Sequence, residues 1–297
     1  MSTTATERVT TATITTRHSA GARAIRIFGR TVLYLVIIAG AVVFSFPFVW
    51  MITTSVKPPD QMLMMPPVLI PRELVWTNYT TPFQNLPWDT FFRNSVVITC
   101  IGVLGAITAS SCVAFGFARP RWPGRDILFI CMLATLMLPS PVTMIPRYYI
   151  FAKTGLINTF IPLILPDWLG SPFLIFLLRQ YMMTIPLDYD DAARIDGAGW
   201  FGIFWRIIIP MSYPALGVAA IYSFTFHWND FINPIIYLTR MELYTVPLGL
   251  ALMNNRYATD FGGMMAMATL SLIPVLVLFF AAQRYFIQGI VISGVKG

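Results

Sequence analysis

Four stretches of this chain carry no charge over 20 or more residues: 31–56, 94–118, 127–146 and 261–283. An α-helix rises about 1.5 Å per residue, so about 20 residues cross the roughly 30 Å hydrocarbon core of a bilayer. Two further stretches, 154–178 and 207–239, are apolar apart from one acid each, Asp167 and Asp230. Together they predict an all-α, polytopic membrane protein with six transmembrane helices. Pro47 is expected to kink the first span, and Pro139 and Pro141 the third. Pro162, Pro166 and Pro172 make the fourth the least regular, tolerable at membrane depth only where protein or a cavity covers the freed backbone.

Only 11% of the residues are charged and 57% are hydrophobic, with a mean hydropathy of +0.69. A soluble domain carries about 25% charged residues. The net charge of +7 could suggest nucleic acid, but the basic residues sit in short segments between apolar runs rather than on one folded face. Topology explains them better. Six spans put both termini on one side. With that side inside, the inner segments hold 11 Lys and Arg against 7 outside. Five arginines (Arg8, Arg17, Arg23, Arg26, Arg30) precede the first span, and RPRWPGRD at 119–126 packs three into eight residues. Positive residues favour the cytoplasmic face, so both termini are expected in the cytoplasm.

Residues 1–30, Thr-rich, read as a cytoplasmic tail, and 31–297 as the six-span domain. The run that follows the tail is too long for the apolar part of a cleavable signal peptide. The segment 57–93 has too many prolines to be one helix. It reads equally as an ordered outer cap or as a solvated loop.

Chemistry-bearing constellations are sparse. Cys100, Cys112 and Cys131 lie in apolar runs without metal or disulfide spacing and read as small core residues. His18 and His227 stand apart, which implies no metal site. Lys57, Lys153 and Lys296 follow Val56, Ala152 and Val295, so none completes a phosphate-binding Gly-Lys-Ser/Thr loop. Neither a catalytic set nor a cofactor is expected, and the reading is not an enzyme.

The most informative stretch is 191–210, DAARIDGAGWFGIFWRIIIP, which this topology places in the cytoplasm within a loop of 186–210. Pro186 closes the preceding span. Asp188 is expected to cap a short helix whose first turn holds Asp190 and Asp191, suited to the positive end of the helix dipole. Ala192 and Ala193 leave little bulk, and Gly197 and Gly199 break the helix after about two turns. A second apolar helix then leads to Pro210. A surface with such small residues lets another protein approach closely; a plain connector is the alternative.

The spacing Glu-Ala-Ala, three residues, Gly, nine residues, Ile-x-Leu-Pro marks the membrane subunits of binding-protein-dependent ABC importers. This chain resembles it with Asp191-Ala192-Ala193, Gly197 and Ile207-Ile208-Ile209-Pro210, departing at Asp191 for Glu and Ile209 for Leu. FPFVWMITTSVK (46–57), HWNDF (227–231) and SGVKG (293–297) are similar to the carbohydrate-uptake branch, the last to its maltose-type second permease subunit. The resemblance implies that Asp191, Ala192, Ala193, Asp196, Gly197, Ile207 and Pro210 belong to a coupling loop docked on a separate ATPase. It also implies the partners: an ATPase dimer in the cytoplasm, a second homologous permease, an extracytoplasmic solute-binding protein and a sugar-like solute, in the inner membrane.

Asp230 is the sharpest polar signal inside a span, because an ionised carboxylate in hydrocarbon should face a cavity or a partner. With Trp228, Asn229 and Asn233 it forms a candidate solute pathway or gate: amides and carboxylates bond hydroxyls, and aromatic faces stack on sugar rings. The alternative is that these groups bond neighbouring helices or the sister subunit. Asp167 is expected near the outer surface and Arg179 near the inner end of the fourth span. Rival functions are the same machinery for glycerol-phosphate, amino acids or peptides, and a secondary transporter, which would call for inverted repeats that the sequence lacks.

Overall fold

A computed structural model describes the chain over residues 20–62, 64–256 and 260–293. Most of the expected N-terminal tail and the last four residues of SGVKG lie outside the described residues. The chain divides into two compact units, 1–50 and 51–297. The first is the N-terminal part of α1 (Ala20–Thr54), which continues through Pro47 without a break in its helical assignment.

The second unit continues with α2 (Pro59–Met62), α3 (Thr77–Asn85), α4 (Trp88–Ala118), α5 (Arg125–Ala134), α6 (Ser140–Lys153), α7 (Ile161–Trp168) and α8 (Pro172–Thr184). There follow α9 (Asp188–Ile195), α10 (Trp200–Ile203), a π-helical turn (Phe204–Ile208), α11 (Ile209–Met211), α12 (Tyr213–Trp228), α13 (Ile232–Tyr237), α14 (Val246–Arg256) and α15 (Phe261–Ser293). Among the described residues there is no strand.

Four helices are long and apolar enough to cross a membrane: Ile27–Thr54, Trp88–Ala118, Ile161–Thr184 and Phe261–Gln283. Two bent pairs bring the number to six if each counts as one span: Arg125–Met137 with Ser140–Lys153, bent by 99°, and Trp200–Met211 with Tyr213–Trp228, bent by 77°. The first bend falls at Leu138–Pro139, where the prolines 139 and 141 of the sequence call for irregular backbone. The expected limits shift elsewhere. The second span starts at Trp88 rather than 94, and the fourth runs over 161–184 rather than 154–178. The run 207–239 is not one helix. It turns at Ser212, and α12 stops at Trp228, ahead of Asp230.

Helix α4 is the hub of the second unit, packing against α7, α8 and α12. Its inward face carries Gly102, Gly105, Ala106, Ser110, Ser111 and Ala114, all buried. Small residues at this spacing let helix backbones approach closely where lipid offers no hydrophobic drive. A Cβ on Gly102 would stand 2.6 Å from His227 Nε2, so α12 can lie this near α4 only because residue 102 has no side chain. One buried apolar cluster joins α4, α8, α9, α10 and α12 through Phe115, Leu174, Leu178, Met182, Ala193, Ile203, Ile208 and Ala219. Another joins the start of α4 to α14 and α15 through Trp88, Phe91, Val246, Met253 and Met267.

Among the described residues of 57–93, hydrogen bonds tie Val75 and Asn78 to the chain at 55–57. Asn78 Nδ2 donates to the carbonyls of Ser55 (3.1 Å) and Lys57 (3.0 Å), and Val75 N donates to Val56 O at 2.9 Å. These bonds fold the proline-rich stretch back on the end of α1.

Candidate functional site

Helix α8 ends where Ile185 turns extended ahead of Pro186, a residue type that disfavours helical backbone before it. Asp188 is the first helical residue of α9 and not its cap. The N-cap position falls on Leu187, in helical backbone and without a side-chain cap. Asp188, Asp190 and Asp191 fill the first turn and Arg194 the last, which suits the helix dipole at both ends.

The expected break at Gly197 is a complete Schellman ending. Gly197 has φ +82°. Its N–H donates to Arg194 O at 3.0 Å, and Ala198 N–H donates to Ala193 O at 2.9 Å. A Cβ at 197 would meet nothing within 4 Å, so the glycine is required by backbone conformation and not by a close approach. Gly199 sits in extended backbone and starts α10.

The second helix of the loop is less regular than its sequence suggests. Pro210 has no N–H and its ring crowds the carbonyl four residues back. The turn before it loosens accordingly: Ile209 N–H donates to Phe204 O, five residues back, and Phe204–Ile208 is a π turn. Ile203 and Ile208 are buried, whereas Ile207 is only partly so and Pro210 is exposed.

Of the eight residues of α9, only Asp190 and Ala193 are buried. The outward face presents Asp188, Tyr189, Asp191, Ala192, Ile195 and Asp196, with Ile195 87% exposed and Phe201 of α10 78% exposed. Arg194 pairs with Asp191 (3.0 Å) and lies over the Trp200 ring at 4.4 Å, both on the exposed side.

The inward face holds a group that sequence reasoning missed. Arg119, the C-cap of α4, donates from Nη2 to Met182 O and Ile185 O, each at 2.9 Å, and its Nη1 stands 3.7 Å from Asp190 Oδ2. The two side chains are 1% and 2% exposed. Burial pushes the Asp190 carboxyl up from its ordinary pKa, with Arg119 pulling against that shift, and burial lowers Arg119 from its own ordinary value. The sequence offered Arg119 only as a topology charge and Asp190 only as a first-turn acid. Beside the pair, Arg121, Leu187, Asp191 and Trp200 line a cavity of about 460 Å³.

The second set of expected residues separates. Trp228 is buried; its Nε1 donates to Ser271 O at 3.0 Å and its ring stacks on Phe224, so it packs α12 against α15. Asn229 Nδ2 donates back to Thr225 O at 2.9 Å. Asp230 accepts from Asn233 twice, at Oδ1 from the backbone N–H (3.2 Å) and at Oδ2 from Nδ2 (2.8 Å), in the turn between α12 and α13. Asp230 and Asn233 line a cleft of about 240 Å³ with Asp167, Arg147, Ser223 and Tyr222. His227 does not stand alone: its Nε2 is 3.4 Å from Asp167 Oδ2, an ion pair whenever the imidazole is protonated. Arg179 lies over the Phe129 ring at 4.0 Å and its Nε donates to Phe117 O.

Residues 101–292, which include both the loop and the cleft, match the model of the binding-protein-dependent transport system inner membrane components. The chain belongs to this family. It is the membrane component of an import system and not an enzyme. Among its relatives is the arabinooligosaccharides transport system permease protein AraQ of Halalkalibacterium halodurans, 34% identical over 85% of this chain and 91% of that protein. Another is the lactose transport system permease protein LacG of Rhizobium radiobacter, 30% identical over 87% and 93%. The fold is also that of a chain in the crystal structure of a bacterial ABC transporter that imports the acidic polysaccharide alginate. That chain has a TM-score of 0.76 and 23% identity over 89% of this chain and 98% of its own.

Proposed function

We propose that this permease forms half of the solute pathway of an ATP-driven importer for a sugar or oligosaccharide in the inner membrane, with both termini in the cytoplasm. It works beside a second homologous permease, receives solute from an extracytoplasmic binding protein, and takes its power stroke from a cytoplasmic ATPase dimer docked on the loop 191–210. The observation that carries the reading is the outward face of α9. A two-turn helix, capped by a Schellman ending, holds small Ala192 between exposed Tyr189, Ile195 and Asp196, the form of a helix that lies in a partner's groove. Arabinooligosaccharide and lactose permeases among the relatives favour a sugar as solute. A glycerol-phosphate-like solute is the second reading, favoured by 30% identity to the sn-glycerol-3-phosphate transport system permease protein UgpE of Yersinia pestis. Asp230 and Asn233 line the part of the pathway formed by the cleft, and Trp228 and Asn229 hold its wall.

The test is Gly197→Val. A β-branched residue at φ +82° costs at least the roughly 1–2 kcal/mol of left-handed backbone, and it re-aims α9. The expected result is normal membrane insertion with loss of ATPase co-purification and of uptake, while Gly197→Asn, which tolerates this conformation, retains both in good part. Wild-type uptake by Gly197→Val, with the ATPase still bound, defeats the reading.

A further inference from the structure

We infer that Arg119 is a positioning residue that fastens the coupling helix α9 to the inner ends of α4 and α8, so that a displacement of α9 reaches the membrane helices as the movement of one body. The inference rests on the reading that α9 docks on the ATPase, and goes beyond it by naming what stands behind the docking face.

The inward face of α9 is small. Its two buried side chains are Asp190 and Ala193, so the helix is held to the membrane helices by one methyl group and one carboxylate, apart from its covalent ends. The carboxylate pairs with Arg119 alone among the described cations. Arg119 in turn belongs to two other elements: it terminates α4, and its Nη2 bonds the carbonyls of Met182 and Ile185 at the C-terminal end of α8, where the helix dipole favours a cation. One planar guanidinium therefore ties three elements together, which a lysine's single rotatable ammonium cannot do in the same geometry.

The surroundings say why a charge is used. Ala193, Ile185, Leu178 and Ile203 form the adjoining core, and apolar side chains would have packed here. Buried ion pairs are seldom the most stable choice, because each ion must be stripped of water. They differ from apolar contacts in another respect. An apolar contact can slide by a fraction of its area at small cost, whereas a buried charge that leaves its partner is stranded in a medium that cannot solvate it. Asp190 cannot move away from Arg119 without that penalty, and Arg119 cannot move away from α8 without losing two bonds. The ion pair Arg194–Asp191 has no such effect, since it lies within α9 and both side chains are about half exposed.

The experiment uses the full chain in complex with its ATPase, with native Cys100, Cys112 and Cys131 replaced by serine and spin labels on cysteines at Leu187, the N-cap of α9 and outside its docking face, and at Ile127 in α5, both exposed. Distances between labels are measured without nucleotide and with ATP and vanadate. In the wild type one narrow distance is expected, unchanged by nucleotide. In Arg119→Ala and in the isosteric Asp190→Asn the distance should broaden and respond to nucleotide. The ATPase should still co-purify, and its hydrolysis should no longer respond to the loaded binding protein. If Arg119→Ala does not assemble, Asp190→Asn and Arg119→Lys decide. A narrow, nucleotide-insensitive distance in assembled variants overturns the inference, and so does hydrolysis that still follows the binding protein. Loss of the docking reading itself would show differently, as an ATPase that remains coupled in Gly197→Val.

Discussion

His227 and Asp167 meet across two helices, Nε2 to Oδ2 at 3.4 Å, and the His227 ring lies where a side chain on Gly102 would stand. The three residues come from α12, α7 and α4, so one glycine sets how near two of the main helices approach. Gly102→Ala puts a methyl 2.6 Å from the imidazole, and overpacking of this kind costs about 1–3 kcal/mol. The expected outcome is a lower melting temperature in detergent, with a larger loss for Gly102→Leu. Gly116, whose added Cβ would meet nothing within 4 Å, is the control: Gly116→Ala should leave the melting temperature unchanged or raise it.

Breaking the Arg119–Asp190 pair from one side strands a buried charge. Arg119→Met is expected to cost about 3–5 kcal/mol, whereas Arg119→Met combined with Asp190→Leu should recover most of that loss, since an apolar pair needs no solvation. Thermal unfolding of the two variants beside the wild type checks the sign of the coupling. A double variant less stable than Arg119→Met would contradict it.

The same pair has a pH signature. Burial raises the Asp190 pKa in the folded chain above its unfolded value, so the folded state binds the proton more tightly. Its contribution to stability is fully present below the ordinary carboxylate pKa, and it declines as pH rises through the raised folded value. Asp190→Asn removes this decline. Melting temperatures from about pH 4 to 7, around the carboxylate range, should fall less steeply with pH in Asp190→Asn than in the wild type.

Asp230 bears both on the turn between α12 and α13 and on the cleft. Asp230→Ala removes the two bonds from Asn233 and should cost about 0.5–2 kcal/mol, as for other side-chain acceptors at helix starts. Asp230→Asn keeps an acceptor for the backbone N–H and should be nearly as stable as the wild type. If the cleft lines the solute pathway, uptake falls in both. Uptake that tracks stability alone, lost in Asp230→Ala and kept in Asp230→Asn, would make the residue a turn former.

What was legible in the sequence was what local chemistry decides. Uninterrupted apolar runs marked the helices, Pro139 marked the bend between α5 and α6, and Asp196-Gly197 marked the left-handed ending of α9. Partners across the fold were not legible. Nothing near Arg119 in the chain distinguishes it from Arg121 or Arg125, which serve the same charge bias without being buried, and nothing near Asp190 distinguishes it from Asp191. Which of two adjacent acids turns inward depends on the phase at which α9 leaves Pro186, and that is a tertiary matter. The contacts of Trp228 were illegible for a related reason. A tryptophan beside an Asn and an Asp suggests a sugar platform, but its ring is occupied by Phe224 and its N–H by Ser271.

The π turn at Phe204–Ile208 adds one residue to a helical circuit. One residue is about 100° of rotation in an α-helix. In ordinary helix a deletion would therefore swing everything before it round relative to α12. The wide turn instead takes up its extra residue within one circuit, so deleting one residue there would close it as ordinary helix and leave the azimuth of Trp200 and Phe201 nearly unchanged. The slack that Pro210 imposes is thus a place where the chain can lose a residue of length without turning the face that α10 presents.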